Sequence, residues 1–235
     1  MPGVEAFSSV VRMLKAVVTL ALAVRPYLKR PVDWVGAGIG IAAFALIVAG
    51  ELLDLVKDAK ARRTIASGEA RDVLRACVAH AEEIQHRVGK GTLRASVMTL
   101  KRGKLRIVAS YRMDDEPDRD IEYAPGQGCC GHAFDSGRTV VGDIGATYKD
   151  TWEETCKAND GRWPWGITKQ QYEMTREIEA VLSIPIKVGD QVKGVLNLDD
   201  KIVPDEALFK DDGFVDALRG YVLCLRNVMK GGSLG

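Results

Sequence analysis

From Trp34 to Gly50 the chain runs seventeen residues without a charge: Trp-Val-Gly-Ala-Gly-Ile-Gly-Ile-Ala-Ala-Phe-Ala-Leu-Ile-Val-Ala-Gly. A bilayer-spanning helix needs about 17–25 apolar residues, so the run sits at the short edge of that range. Leu52, Leu53, Leu55 and Val56 lengthen its apolar surface, although Glu51 and Asp54 interrupt it. The alternative is a buried helix of a water-soluble protein. Gly36, Gly38 and Gly40 weigh against it, since each glycine costs an aqueous helix about 1 kcal/mol. Between membrane helices the same small residues allow close approach, and Trp34 suits an interfacial belt. Residues 34–56 therefore read as the main span.

A second apolar stretch, Phe7–Val24, carries Arg12 and Lys15 inside it, and those charges suit a bilayer centre poorly. Residues 5–25 read either as a helix lying flat in the interface or as the first arm of a membrane hairpin turned at Pro26–Asp33. No small-residue cleavage site precedes Arg25-Pro26, which argues against a signal peptide. Residues 1–56 are thus read as a membrane anchor. Arg25, Lys29 and Arg30 compete with Lys57, Lys60, Arg62 and Arg63 to set orientation. The larger downstream cluster predicts that the folded domain beyond it lies on the cytoplasmic side, in a bacterial-type inner membrane. The whole chain carries 33 basic and 32 acidic residues, so its charge offers no argument for a nucleic-acid partner. At 46% hydrophobic and 28% charged residues, the chain reads as folded rather than disordered.

Residues 57–88 read as a connecting helix. Ala70, Leu74, Cys77, Ala81, Ile84 and Val88 recur at heptad-like steps. Such a stripe suits either a two-helix seam in a homodimer or packing on the helix's own domain; the pattern alone leaves both open. Gly89-Lys-Gly91 ends the helix. Residues 89–230 read as the folded domain, with 231–235 as a flexible tail. Leu93–Leu100 and Lys104–Tyr111 predict a β-hairpin, whose alternating Ala95, Val97, Leu105, Ile107 and Ala109 suit a sheet covered on one face. The acidic stretch Asp114–Asp120 reads as a solvated, unstructured loop. Gly128–Phe134 reads as a short helix, Thr139–Val141 as a strand, Val181–Lys187 and Gln191–Leu198 as a closing hairpin, and Phe214–Met229 as a terminal helix. This order predicts an α+β domain around an antiparallel sheet.

Gly126-Gln-Gly128 before the short helix, then Gly137 and Asp143 around the next strand, then Gly194-Val-Leu-Asn197 in the closing hairpin, resemble the GAF family over about residues 66–230. The resemblance implies an antiparallel GAF-type sheet flanked by helices, here preceded by a transmembrane helix or hairpin and a connecting helix. It implies a pocket between the sheet and its covering loops, but the fold does not choose a ligand. Asn197, Lys201, Phe209 and Asp211-Asp212 keep the order of the cyclic-nucleotide signature with the wrong spacing. Cys129, Cys130 and His132 supply the residue types for bilin attachment without the surrounding pattern. The cofactor is accordingly unknown.

Cys77, Cys129, Cys130, Cys156 and Cys224 are odd in number and lack disulfide-framework spacing, which favours a reducing compartment. Free methionine sulfoxide reductases are GAF-fold enzymes with a Val-Cys-Gly element, and Cys130-Gly131 matches its place. Should the chain be such an enzyme, Cys130 and Cys156 are the catalytic candidates, and a thiol at a helix start is expected to have a lowered pKa. The family's His-Ile-Ala-Cys-Asp element is missing, and no metal site is expected. Between Gly145 and Glu179 an insert holds Tyr148, Trp152, Trp163, Trp165 and Tyr172, suited to stacking a planar ligand or gripping a quaternary amine, or to sealing the sheet's end. The ligand-binding candidates are Cys129, Cys130, His132, Asp143, Trp152, Trp165 and Glu179. The expectation is a membrane-anchored sensor, more a binding module than an enzyme. A small molecule is its ligand, a homodimer through helices its assembly, and a ligand-free dimerising adaptor the third reading.

Overall fold

The computed structural model describes residues 34–86, 92–114, 116–143, 151–158, 163–201 and 209–230. Within these, the side chains of residues 34–47, 51, 55, 62, 63, 65 and 143 lie outside the description. The chain divides into two compact units, Met1–Arg63 and Thr64–Gly235. Of the first unit, backbone helix is described from Trp34 onward, as part of α1 (Trp34–Ile84). Its described side chains Leu52, Leu53 and Val56 are exposed. Among the described residues no helix is long and apolar enough to cross a membrane. The predicted interfacial or first-arm helix 5–25, and the side chains of most of the uncharged run, fall outside the described residues, as do the Gly89-Lys-Gly91 break and the 231–235 tail.

The second unit is built on a six-stranded antiparallel sheet. Its strands are β1 (Leu93–Lys101), β2 (Lys104–Tyr111), β3 (Glu122–Tyr123), β4 (Val140–Asp143), β5 (Ala180–Val188) and β6 (Gln191–Asp200), in the order β3-β2-β1-β6-β5-β4. The β1–β2 turn closes through Arg102 and Gly103, both at positive φ (52° and 80°), the pairing that matches hairpin twist. The helices of this unit besides α1 are α2 (Gly128–Ser136), α3 (Trp152–Ala158), α4 (Lys169–Thr175) and α5 (Asp212–Lys230).

Strand alternation sorts side chains onto two faces. Leu93, Ala95 and Val97 of β1, Leu182, Ile184 and Ile186 of β5, and Leu196 and Leu198 of β6 share one core with Leu74, Cys77 and Ala81 of α1 and with Phe214, Leu218 and Leu225 of α5. Leu74, Leu218 and Leu225 are fully buried, and each such side chain stabilises the fold by about 1.5–3 kcal/mol. Of the two uses open to the heptad-like stripe, its described members up to Ala81 take packing on the domain's own core. Arg112 fastens the helix's end, donating from Nη1 to Glu82 Oε1 at 2.5 Å and to the Leu93 carbonyl at 3.2 Å.

The sheet departs from the one-covered-face expectation. Met98, Leu105 and Val195 on the opposite face pack beneath Cys130 and Ala133 of α2, so both faces are covered. The acidic stretch departs too. Pro117–Asp120 forms a 3-10 turn, and Asp118 is buried at 3% exposure. An arginine from β1 draws it inward.

Candidate functional site

Under α2 the sheet's second face is not fully filled. A cavity of about 70 Å³ lies between the strands and their cover. Its floor comes from the alternate residues of β1 and β6, which register places opposite one another: Arg94 against Asp199 and Ser96 against Asn197. Ser96, Asn197 and Asp199 line the cavity. Ser183 on β5, paired with Asn197, donates its hydroxyl to Asn197 Oδ1 at 2.8 Å, and Asn197 Nδ2 reaches Ser96 Oγ at 3.5 Å. Three strands thereby carry one polar row into an otherwise apolar space.

The cover is built from the start of α2 and from the insert. Gly131 lets α2 approach the preceding loop, because a Cβ there would stand 2.5 Å from the Ala124 carbonyl oxygen. Gly128 has φ +64°, and a Cβ there would meet the Tyr123 ring at 3.0 Å. Gln127 joins the pieces. Its Oε1 accepts from Ala124 N at 2.9 Å, and its Nε2 donates to the Gly166 carbonyl at 2.8 Å. Gln171 of α4 donates to that same Oε1 at 3.3 Å and to the Glu122 carbonyl at 2.5 Å. Thr168 and Gln171 form a reciprocal cap at the α4 start. Trp165 stands over the cavity with φ 67°, a left-handed backbone that bulky residues adopt only where their surroundings hold them.

One wall is ionic. Arg94, 3% exposed, donates from Nε to Asp199 Oδ1 at 2.6 Å, and from Nη1 and Nη2 to the two oxygens of Asp118 at 3.2 and 2.8 Å. Glu116 lies 3.4 Å from Arg94 and accepts from Lys201 Nζ at 2.7 Å. That Lys201 bond holds the Glu116 carboxyl below its ordinary range. Burial pushes the Asp199 carboxyl up to about 6; Arg94 pulls against this, and Asp118 adds to it.

The sequence-derived candidates separate cleanly. Cys129, Cys130 and Trp165 line the cavity. His132 is exposed and turns its ring edge to Trp165, 5.4 Å between centroids. Trp152 instead stacks on Trp163 at 4.6 Å, with Tyr172 beside both, and is not among the cavity-lining residues. Glu179 is half-buried, and its backbone N–H donates to the Asp200 carbonyl at 2.8 Å; neither Glu179 nor Cys156 is among the cavity-lining residues. The Asp143 side chain lies outside the described residues. The expected lowering of the helix-start thiols is reversed: burial pushes Cys129 up to about 12, and burial together with its neighbour Cys129 raises Cys130 further. Low-dielectric surroundings here outweigh the helix terminus. The residues absent from the sequence-derived site are Arg94, Ser96, Asp118 and Asp199, and Asn197 entered only through the family pattern. For Arg94, Ser96, Asn197 and Asp199 the signal was available as polar side chains at alternate strand positions, which reads as a solvent face until something covers it.

An antiparallel sheet with two helices on one face, and on the other a short helix and an insert over an internal cavity, defines an α+β domain. The GAF domain profile matches residues 69–218, and the chain belongs to the GAF domain family. No curated protein matches the chain. Among solved structures it is similar to the type II free methionine-R-sulfoxide reductase of Thermoplasma acidophilum (14% identity, 72% of this chain and 98% of that one, TM-score 0.47). It is similar to a GAF domain/HD domain protein of Geobacter sulfurreducens (15%, 71% and 96%, TM-score 0.43). It is also similar to the free methionine-R-sulfoxide reductase of Neisseria meningitidis in complex with its substrate (16%, 73% and 86%, TM-score 0.44).

Proposed function

We propose that the protein is a membrane-anchored GAF sensor that binds a small molecule in the cavity beneath Trp165. The observation that carries this reading is the cavity itself, a space with an apolar cover, a polar row across three strands and a buried ionic wall. Small-molecule sites are concave and mostly apolar with a few placed polar groups. The unbroken uncharged run Trp34–Gly50, continued by exposed Leu52, Leu53 and Val56, supports the anchor. Lys57, Lys60, Arg62 and Arg63 support a cytoplasmic sensor domain on a bacterial-type inner membrane. The ligand's differential affinity for two states of the domain biases helices α1 and α5, and a homodimer through helices, or the membrane segment, passes the change on.

The thiol-enzyme reading is the weaker one. Cys130 faces the cavity, but both α2 thiols are buried and shifted toward the unreactive form, and Cys156 does not join them. The ligand-free adaptor reading expects the cavity to be filled by bulky side chains, and it is not. Native mass spectrometry of the full chain, extracted from its source membrane, tests the proposal. A co-purifying small molecule is expected, and it should be lost in Val181→Phe, which places a ring in the cavity. A chain that carries nothing in either form would overturn the sensor reading.

A further inference from the structure

The charges around the cavity do not balance. Arg94 is the one cation shared by Asp118 and Asp199, both at 5% exposure or less. The third carboxylate near it, Glu116, already has Lys201 at 2.7 Å. One buried positive charge therefore faces two buried negative ones. Arg94 engages Asp199 through Oδ1, and Asp199 lines the cavity. Two buried carboxylates that share one cation are unfavourable unless something supplies the missing charge.

We propose that the cavity selects small organic cations, with an ammonium group seated against the Asp199 carboxylate; this rests on the reading of the domain as a small-molecule sensor. Ser96 Oγ and Asn197 Oδ1 lie on the same floor and accept further N–H donors. The Trp165 and Tyr123 rings line the cavity and add the attraction of an aromatic face for a cation. The space bounds the ligand's size. One water needs about 10–15 Å³ on this measure, so a cavity of about 70 Å³ has room for several waters or one small organic ion. The approach carries the same sign. A groove of about 150 Å³ on the far side of the Arg94–Asp118 pair shares Asp118 and Ile178 with the cavity, and Glu173 and Glu177 join Glu116 along it. Its four carboxylates outnumber its three cations, which enriches small cations at the wall of the site.

Isothermal titration of the full-length protein in detergent, at constant ionic strength, tests this with three probes of similar size: n-propylammonium, 1-propanol and propionate. Saturable binding of n-propylammonium, with the other two failing to saturate, is expected. Asp199→Asn, checked for folding by circular dichroism, should weaken the amine about tenfold to a hundredfold, the usual range for a lost charge-assisted hydrogen bond. Ser96→Ala, which leaves the Arg94–Asp118–Asp199 ion pairs in place, should weaken it less and serves where Asp199→Asn fails to fold. Binding of propionate or propanol equal to that of the amine, or an unchanged amine affinity in Asp199→Asn, overturns the cation assignment and leaves the sensor reading standing. Binding of none of the three overturns the cation assignment. If the extracted chain also carries no small molecule, the sensor reading falls with it.

Discussion

Replacing Arg94 with Met should destabilise the domain by about 3–5 kcal/mol at neutral pH, and by less in mild acid. Methionine keeps most of the side chain's volume, so the loss is electrostatic. Stripping the cation from a buried ion network typically costs about 3–5 kcal/mol. The present geometry sets a ceiling near that range. A buried carboxylate that loses its partner takes up a proton, and at pH 7 this costs at most about 4 kcal/mol per group, three units above the ordinary value at 1.36 each. Asp199, already pushed up to about 6, has roughly 1 kcal/mol left to lose on that scale. At pH 5, below the Asp199 value, that part of the loss is absent. Urea unfolding monitored by far-UV circular dichroism reads both values. With a slope of about 2 kcal/mol/M, the midpoint should fall by roughly 1.5–2.5 M at pH 7. A loss below about 1 kcal/mol at pH 7, or one that does not shrink at pH 5, would mean that solvent reaches the network and the charge argument fails.

Asp199 itself makes stability depend on pH. Its folded-state value lies above the unfolded one, so its contribution is complete below about pH 4 and is lost as pH rises through about 6. Wild type minus Asp199→Asn, compared at pH 4 and pH 7 by urea unfolding, should change by about 3 kcal/mol in that sense; no change would place Asp199 in water. Mass-spectrometric footprinting with iodoacetamide should label exposed Cys224 in the native protein and leave Cys77, Cys129 and Cys130 slow. Fast labelling of Cys130 would instead revive thiol chemistry. Gly131→Ala drives a methyl into the Ala124 carbonyl and should cost about 1–3 kcal/mol by overpacking, a loss that thermal unfolding measures; an unchanged midpoint would mean that the loop moves freely.

The two hairpins and the terminal helix were legible because strand alternation and helical periodicity are local. Observed Leu93–Lys101 and Lys104–Tyr111 extend the expected β1 and β2 by one residue or none. The family pattern also placed α2 and its cysteines against the pocket. The ionic wall was hidden for a physical reason. Arg94 and Asp199 lie far apart in sequence and meet only through the β1–β6 register, while Asp118 sits in a stretch whose composition matches any solvated loop. Trp152 and Trp165 look alike in sequence, but the turn at Pro164–Gly166 carries one over the cavity and α3 sends the other to the stacked cluster.

The polar floor has a consequence for how such a domain diversifies. Each strand of its central sheet serves two masters at alternate residues, with Leu196 and Leu198 answering to the hydrophobic core and Asn197 and Asp199 to whatever the cavity admits. On the sensor reading proposed above, ligand preference can therefore drift along one set of positions while the other set keeps the domain folded. Because Arg94 faces Asp199 and Ser96 faces Asn197, that drift should proceed in cross-strand couples, and a new chemical taste would be acquired two residues at a time.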